Sequence, residues 1–204
     1  MADSSTAFNV NSYFDPYFSM QAVKILPGEF FATTNNTLIV TVLGSCVAVC
    51  LRDKKNRVAG MNHFMLPVDN NPGVGWLGDS ARYGIFAMEK LINEMMKLGA
   101  ERHRLEAKVF GGGHVLKGLV VNDVGTQNAV FVLDYLKTER IPVLAKDLLE
   151  DYPRKVYFFP QSGKVLIKKI RVLNNTTILD RESSYRSKLR EVVRQTDVDL
   201  FEES

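Results

Sequence analysis

TVLGSCVAVCLRDKKNRVAGMNHFMLP, residues 41–67, is β-rich sequence interrupted by one polar turn. TLIVTVLGSC (37–46) and VAVCLRD (47–53) are dense in Val, Ile and Leu, and VAGMNHFML (58–66) alternates less cleanly. DKKNR (53–57) has the composition of a turn, so the last two runs should form a hairpin. With the turn centred on Lys54–Lys55, Asp53 faces Asn56. The same register, carried along the strands, sets Cys46 against His63 and Cys50 against Ala59. Facing β-carbons lie about 4.5–5.5 Å apart, close enough for a thiol to bond an imidazole.

A free thiol, with its pKa near ~8.5, is only slightly ionised at neutral pH, and a neighbouring imidazole raises the reactive fraction. Gly44-Ser45 just before the cysteine lets the backbone turn sharply, so that amide N–H groups can face a developing oxyanion. The plainer reading stands beside it: a cysteine in a Val-rich strand is commonly core packing. Cys50 fits that plainer reading. It shares a face with Cys46 but lies about 13 Å along the strand at ~3.3 Å per residue, beyond disulfide reach. A zinc site built from Cys46, Cys50, His63 and His114 fails on the same distance, and no metal is expected.

Outward from this hairpin, Ser80 to Leu98 reads as a helix. Asp79 or Ser80 is its expected cap, Ile85, Met88, Leu91, Ile92 and Met95 share one face, and Gly99 ends it. LEAKVFGGG (105–113) reads as a strand running into a glycine turn. A second helix over Asp123 to Glu139 turns Val130, Leu133 and Leu136 inward. IPVLAKDLL (141–149), KVYFFP (155–160) and VLIKKIRV (165–172) follow as strands, the last two joined by QSGK. Asp180 to Gln195 reads as an amphipathic helix with Tyr185, Leu189, Val192 and Val193 on its apolar side. These elements predict a layered α/β domain with a mixed or antiparallel sheet, and fit a doubly wound parallel architecture less well. Residues 1–21, with Phe8, Tyr13, Phe14, Tyr17 and Phe18 in an irregular context, read as an arm that docks on a domain spanning 22–172. Residues 173–204 form a polar, partly helical extension.

The chain has 204 residues, 46% hydrophobic and 24% charged, with a net charge of +3. That excess is too small and too scattered to argue for nucleic acid. No apolar run is long enough to cross a bilayer, and the N-terminus lacks the basic start and apolar stretch of a secretory signal. Cytoplasmic location, with reduced thiols, is the expectation. Gly111-Gly112-Gly113-His114 lacks the spacing and Lys-Ser/Thr of a phosphate loop, and reads as close backbone approach beneath a cleft. His114 reads as a polar loop residue and His103 as solvated. Met88, Met95 and Met96 belong to the helix core or its border. Arg181, Arg186, Lys188, Arg190 and Arg194 read as a solvated face that could also dock a partner.

TVLGSCVAVCLRD (41–53), AGMNHFMLP (59–67), ARYGIFAMEKLINEM (81–95) and AKVFGGG (107–113), in this order, resemble the CheD chemoreceptor glutamine deamidases. The resemblance covers roughly residues 22–170. It implies a layered α/β sandwich with a mixed, largely antiparallel sheet, similar to the catalytic domain of the cytotoxic necrotizing factor toxins, with Cys46 as nucleophile and His63 as base. The family's threonine falls on Thr41, with Thr37 as the alternative. It also implies glutamine side chains of methyl-accepting chemoreceptors as substrate, in their cytoplasmic helical bundle, and the phosphatase CheC as a possible partner. Glutamyl methyl esters could be hydrolysed by the same route. No cofactor is expected. A cysteine peptidase and a non-catalytic adaptor are the competing readings.

Overall fold

A computed structural model describes residues 11–67, 78–114, 124–170, 180–189 and 191. Among them, ten strands form two five-stranded sheets. The first sheet runs in the order β1 (Asn11–Asp15), β2 (Met20–Lys24), β4 (Leu38–Leu43), β9 (Arg154–Phe159), β10 (Lys164–Lys169). The second runs β3 (Phe30–Thr33), β6 (Val58–Phe64), β5 (Val47–Asp53), β7 (Leu105–Gly111), β8 (Val143–Leu148). Each sheet is antiparallel except for one parallel pair, β2 with β4 and β7 with β8. The expected layered α/β architecture with mixed, largely antiparallel pairing is therefore present, in two sheets.

Three layers result because the second sheet is apolar on both faces. One face carries Val47, Val49, Leu51 and Val109 against helix α1 (Asp79–Lys97) and helix α2 (Val124–Thr138). The other carries Ala48, Cys50, Met61 and Phe110, with Cys46 just ahead of β5, against Ile39, Leu43, Val156 and Phe158 of the first sheet. Alternation along β5 sends odd residues to the helices and even residues between the sheets. The N-terminal aromatics do more than lie on the domain. β1 and β2 pair as a hairpin at the edge of the first sheet, and Phe18 packs edge-on against Tyr157 and Phe159. Phe8 lies outside the described residues.

Helix α1 has the predicted apolar face, with Met88, Leu91, Ile92 and Met95 fully buried, and Gly99 ends it at φ 97°. Its start differs. Gly78 is the N-cap with no side-chain cap, and Ser80 Oγ donates to Pro67 O instead at 2.7 Å. In α2, Leu136 is buried and Leu133 packs on the core, but Val130 is 52% exposed. Val130 stands two residues from both Asn128 and Val132, about 200° round the helix from each, so their burial turns it outward. Asp123, the expected first residue, lies outside the described residues. Helix α3 spans 180–189, and Val192 and Val193 also lie beyond description.

The hairpin register differs from expectation by two residues. Val47 pairs with Phe64, Ala48 with His63, Cys50 with Met61 and Asp53 with Val58. The cause is Asp53. Its carboxylate accepts Asn56 N–H at 3.1 Å and Asn56 Nδ2–H at 2.9 Å, and Arg57 then takes a left-handed φ of 58°. The loop is thereby four residues long and centred one residue later. Because a slip of two conserves facing, each side chain keeps its predicted face, and only its partner changes.

Candidate functional site

The chain crosses from the first sheet to the second between Leu43 and Val47, through Gly44-Ser45-Cys46. All three carbonyls of that crossing are tied back. Gly113 N–H donates to Gly44 O at 2.8 Å, Asn128 Nδ2–H to Ser45 O at 2.9 Å, and Gly112 N–H to Cys46 O at 2.8 Å. The glycine run is what permits this approach: at Gly111, φ is 111° and a Cβ would stand 2.1 Å from Cys46 O. Asn128 is fully buried and uses both ends of its amide, since its Oδ1 also accepts Leu66 N–H at 2.8 Å.

With the carbonyls held behind, the three amides face forward together. They converge on the carboxylate of Glu182 in α3. Oε1 accepts Gly44 N–H at 2.9 Å and Cys46 N–H at 3.3 Å, while Oε2 accepts Ser45 N–H at 3.1 Å and Ser45 Oγ–H at 2.8 Å. Successive N–H groups aimed at one point make an anion-binding concavity. Here it is filled from within the chain.

Thr41 on β4 and His63 on β6 meet across the space between the sheets, with Thr41 Oγ1 and His63 Nδ1 2.8 Å apart. Thr41 Oγ1 also donates to Ile25 O at 2.9 Å. A hydroxyl has a single proton. Given to Ile25, it leaves Thr41 an acceptor, so the imidazole carries its proton on Nδ1 and a lone pair on Nε2. Nε2 is buried and has no hydrogen-bond partner among the described residues. Burial draws the His63 pKa down to about 3, opposed by the Ile25 carbonyl. The ring flanks two small cavities of about 20 and 60 Å³.

Cys46 is fully buried, on the same between-sheet face as Ala48, which pairs with His63. Burial pushes its thiol well up, and the neighbouring Glu182 carboxylate pushes it further; Arg186 opposes them. Cys50 is buried too, its thiol raised chiefly by burial, and it faces Met61 on one side and Lys108 on the other.

The predicted residues Thr41, Gly44, Ser45, Cys46 and His63 thus gather at one end of the space between the sheets. Thr37 precedes β4, and the bond to His63 belongs to Thr41. His114 is exposed at the end of the glycine run, His103 is exposed, and Met96 sits at the border of α1. Of the basic residues of α3, Arg181 and Lys188 are exposed, Arg186 is half-buried, and Arg190 and Arg194 lie outside the described residues. Sequence reasoning missed Asn128 and Glu182. For Glu182 a signal existed: it lies three residues before Tyr185 and seven before Leu189, on the very stripe read as apolar.

The family model described as "CheD chemotactic sensory transduction" matches residues 65–169. Among curated relatives, a protein of Shewanella oneidensis named "Probable chemoreceptor glutamine deamidase CheD 1" is 60% identical, covering 95% of this chain and 94% of its own. A Dechloromonas aromatica protein of the same name is 56% identical, over 94% of each chain. A Laribacter hongkongensis protein named "Probable chemoreceptor glutamine deamidase CheD" is 52% identical over 97% of this chain and 96% of its own. A solved Neisseria meningitidis structure shares 10% identity at a TM-score of 0.38, covering 60% of this chain and 53% of that one, too slight a likeness to carry an argument.

Proposed function

The chain belongs to the CheD family, and from that premise we propose that it deamidates glutamine side chains of chemoreceptors through a Cys46 acyl-enzyme. One observation carries the reading. A histidine whose tautomer leaves Nε2 as an acceptor lies on the same face as a cysteine whose own amide joins a three-amide anion cradle. Nucleophile, base and oxyanion donors are the three parts that acyl transfer needs.

The thiol passes its proton to His63 Nε2, and Sγ bonds to the carboxamide carbon of a receptor glutamine. The oxyanion that forms takes the place of the Glu182 carboxylate against Gly44, Ser45 and Cys46 N–H. His63 returns the proton to the departing nitrogen, the C–N bond breaks, and ammonia leaves a thioester behind. Water, deprotonated by the same Nε2, then releases glutamate and the thiol. Thr41 acts on the ring, fixing its orientation through Nδ1. A glutamyl methyl ester would form the same thioester, with methanol as leaving group.

Residues 22–172 are the catalytic unit in this reading. The substrate is the receptor's helical bundle, on the cytoplasmic side, and family resemblance brings in CheC as a second protein partner. No described helix is long and apolar enough to cross a membrane. The adaptor reading has one observation in its favour, the complete burial of Cys46. Incubation with a receptor cytoplasmic fragment, followed by peptide mass mapping, separates the readings. Defined glutamines converted to glutamate are expected. Backbone cleavage would indicate a peptidase, and an unmodified fragment that nonetheless co-elutes with the chain would indicate the adaptor.

A further inference from the structure

The feature that the proposed reaction leaves unused is Glu182. It is 5% exposed, lies at least 136 residues along the chain from the turn it binds, and uses both carboxylate oxygens on that turn. Its chemistry matches the reaction's outcome, because it is a glutamate side chain held where the reaction leaves a glutamate side chain. The helix around it is seated as well. Tyr185 meets the Tyr83 hydroxyl of α1 and packs into the cluster between the sheets, and Leu189, 4% exposed, packs there too. Glycines make the room: a Cβ on Gly44 would stand 2.8 Å from Glu182 Oε1, and one on Gly28 2.9 Å from the Tyr185 ring.

We propose that α3 is a built-in product mimic, with Glu182 in the place of the newly made glutamate and the stripe Glu182–Tyr185–Leu189 copying the face of a helical substrate. The inference rests on the deamidase reading for its chemistry. It names the substrate's shape, a glutamine borne on a helix with apolar or aromatic residues three and seven positions on. It also explains why Cys46 is sealed from solvent in this state while His63 Nε2 has no hydrogen-bond partner among the described residues. A tethered helix competes at a high effective concentration, so a receptor helix must displace it before the thiol can react.

Two measurements on the full chain test this. The first is the Glu182→Gln variant, which turns the mimic into a substrate. Cys46 Sγ would bond to the installed carboxamide carbon, the C–N bond would break, and ammonia would leave with a proton from His63. Water would then cleave the thioester to carboxylate and thiol. The peptide containing position 182 is expected to show the mass gain of an amide hydrolysed to an acid, and the Cys46→Ala/Glu182→Gln double variant to show none. An amide that persists at 182, in protein that deamidates receptor fragment, overturns the proposal.

The second measurement needs no deamidase activity. Iodoacetamide is expected to alkylate Cys46 at least about tenfold faster in Glu182→Ala and in Leu189→Asp than in the unchanged chain, with unreacted Cys50 reporting that the fold is intact. Equal rates in the unchanged chain and both variants overturn the proposal. Faster alkylation without conversion of any glutamine, in the receptor or at 182, upholds the covering helix, overturns its role as a product mimic, and refutes the deamidase reading.

Discussion

Replacing Cys46 by alanine is expected to lower ammonia release from a receptor cytoplasmic fragment by at least about 10³-fold, because the proposed acyl-enzyme forms on its sulfur. The protein should remain folded. Cys46 is small and buried, so the change removes one sulfur from the between-sheet cluster, at a cost of about 1 kcal/mol. Cys50→Ala makes the same chemical change four residues along the same face, and should leave the rate within about twofold, as suits a packing residue. Coupled measurement of ammonia release and the urea midpoint for both variants separates lost chemistry from lost stability. A comparable loss of rate at Cys50 would place the nucleophile wrongly.

His63→Gln is the second large effect, expected to cost about 10²- to 10⁴-fold in rate, the range for a positioned general base. The same variant has a signature in stability. In the folded protein burial keeps the ring neutral down to about 3, whereas free imidazole takes a proton near 6.5. Between those values the unfolded chain binds a proton that the folded chain does not. The contribution is therefore complete above about 6.5 and falls away as the pH drops toward 3. Between pH 7 and pH 5 it amounts to about 2 kcal/mol. Urea unfolding at both values should show His63→Gln losing less stability on acidification than the unchanged chain, by about that amount. Equal losses would mean that the ring is protonated in the folded state.

Much of this architecture is legible in residue pattern. The Val-rich runs around Cys46, the spacing of Met88, Leu91, Ile92 and Met95, and the left-handed Gly99 each follow from local rules and recur in the structure. What pattern alone missed depends on side chains closing on backbone. Asp53 gathers Asn56 into the turn and moves the register by two, a choice between two turns of equal local merit. Cys46 and His63 nonetheless share a face, because facing repeats every two residues while partner identity does not. The crossing from one sheet to the other at Gly44-Ser45-Cys46 was equally invisible, since continuous apolar sequence looks the same within one sheet or across two.

Glu182 shows a different limit. An acidic residue beside Arg181 and Arg186 reads as a solvated helix face, and its burial arises only through contact with a turn far away in the chain. Its alignment with Tyr185 and Leu189 was there to be read, but a charge on an apolar stripe gains meaning only once its partner is known. Asn128 is similar: a polar residue within α2 whose whole purpose is the carbonyl of Ser45 and the amide of Leu66.

The acyl-enzyme itself can be trapped. The chain mixed with receptor fragment, quenched in acid and digested should yield a Cys46 peptide joined to a receptor glutamine peptide through a hydroxylamine-labile bond. Chain whose Cys46 has first been alkylated should yield neither that adduct nor glutamate. Deamidation that continues at the full rate after Cys46 has been alkylated would contradict the account.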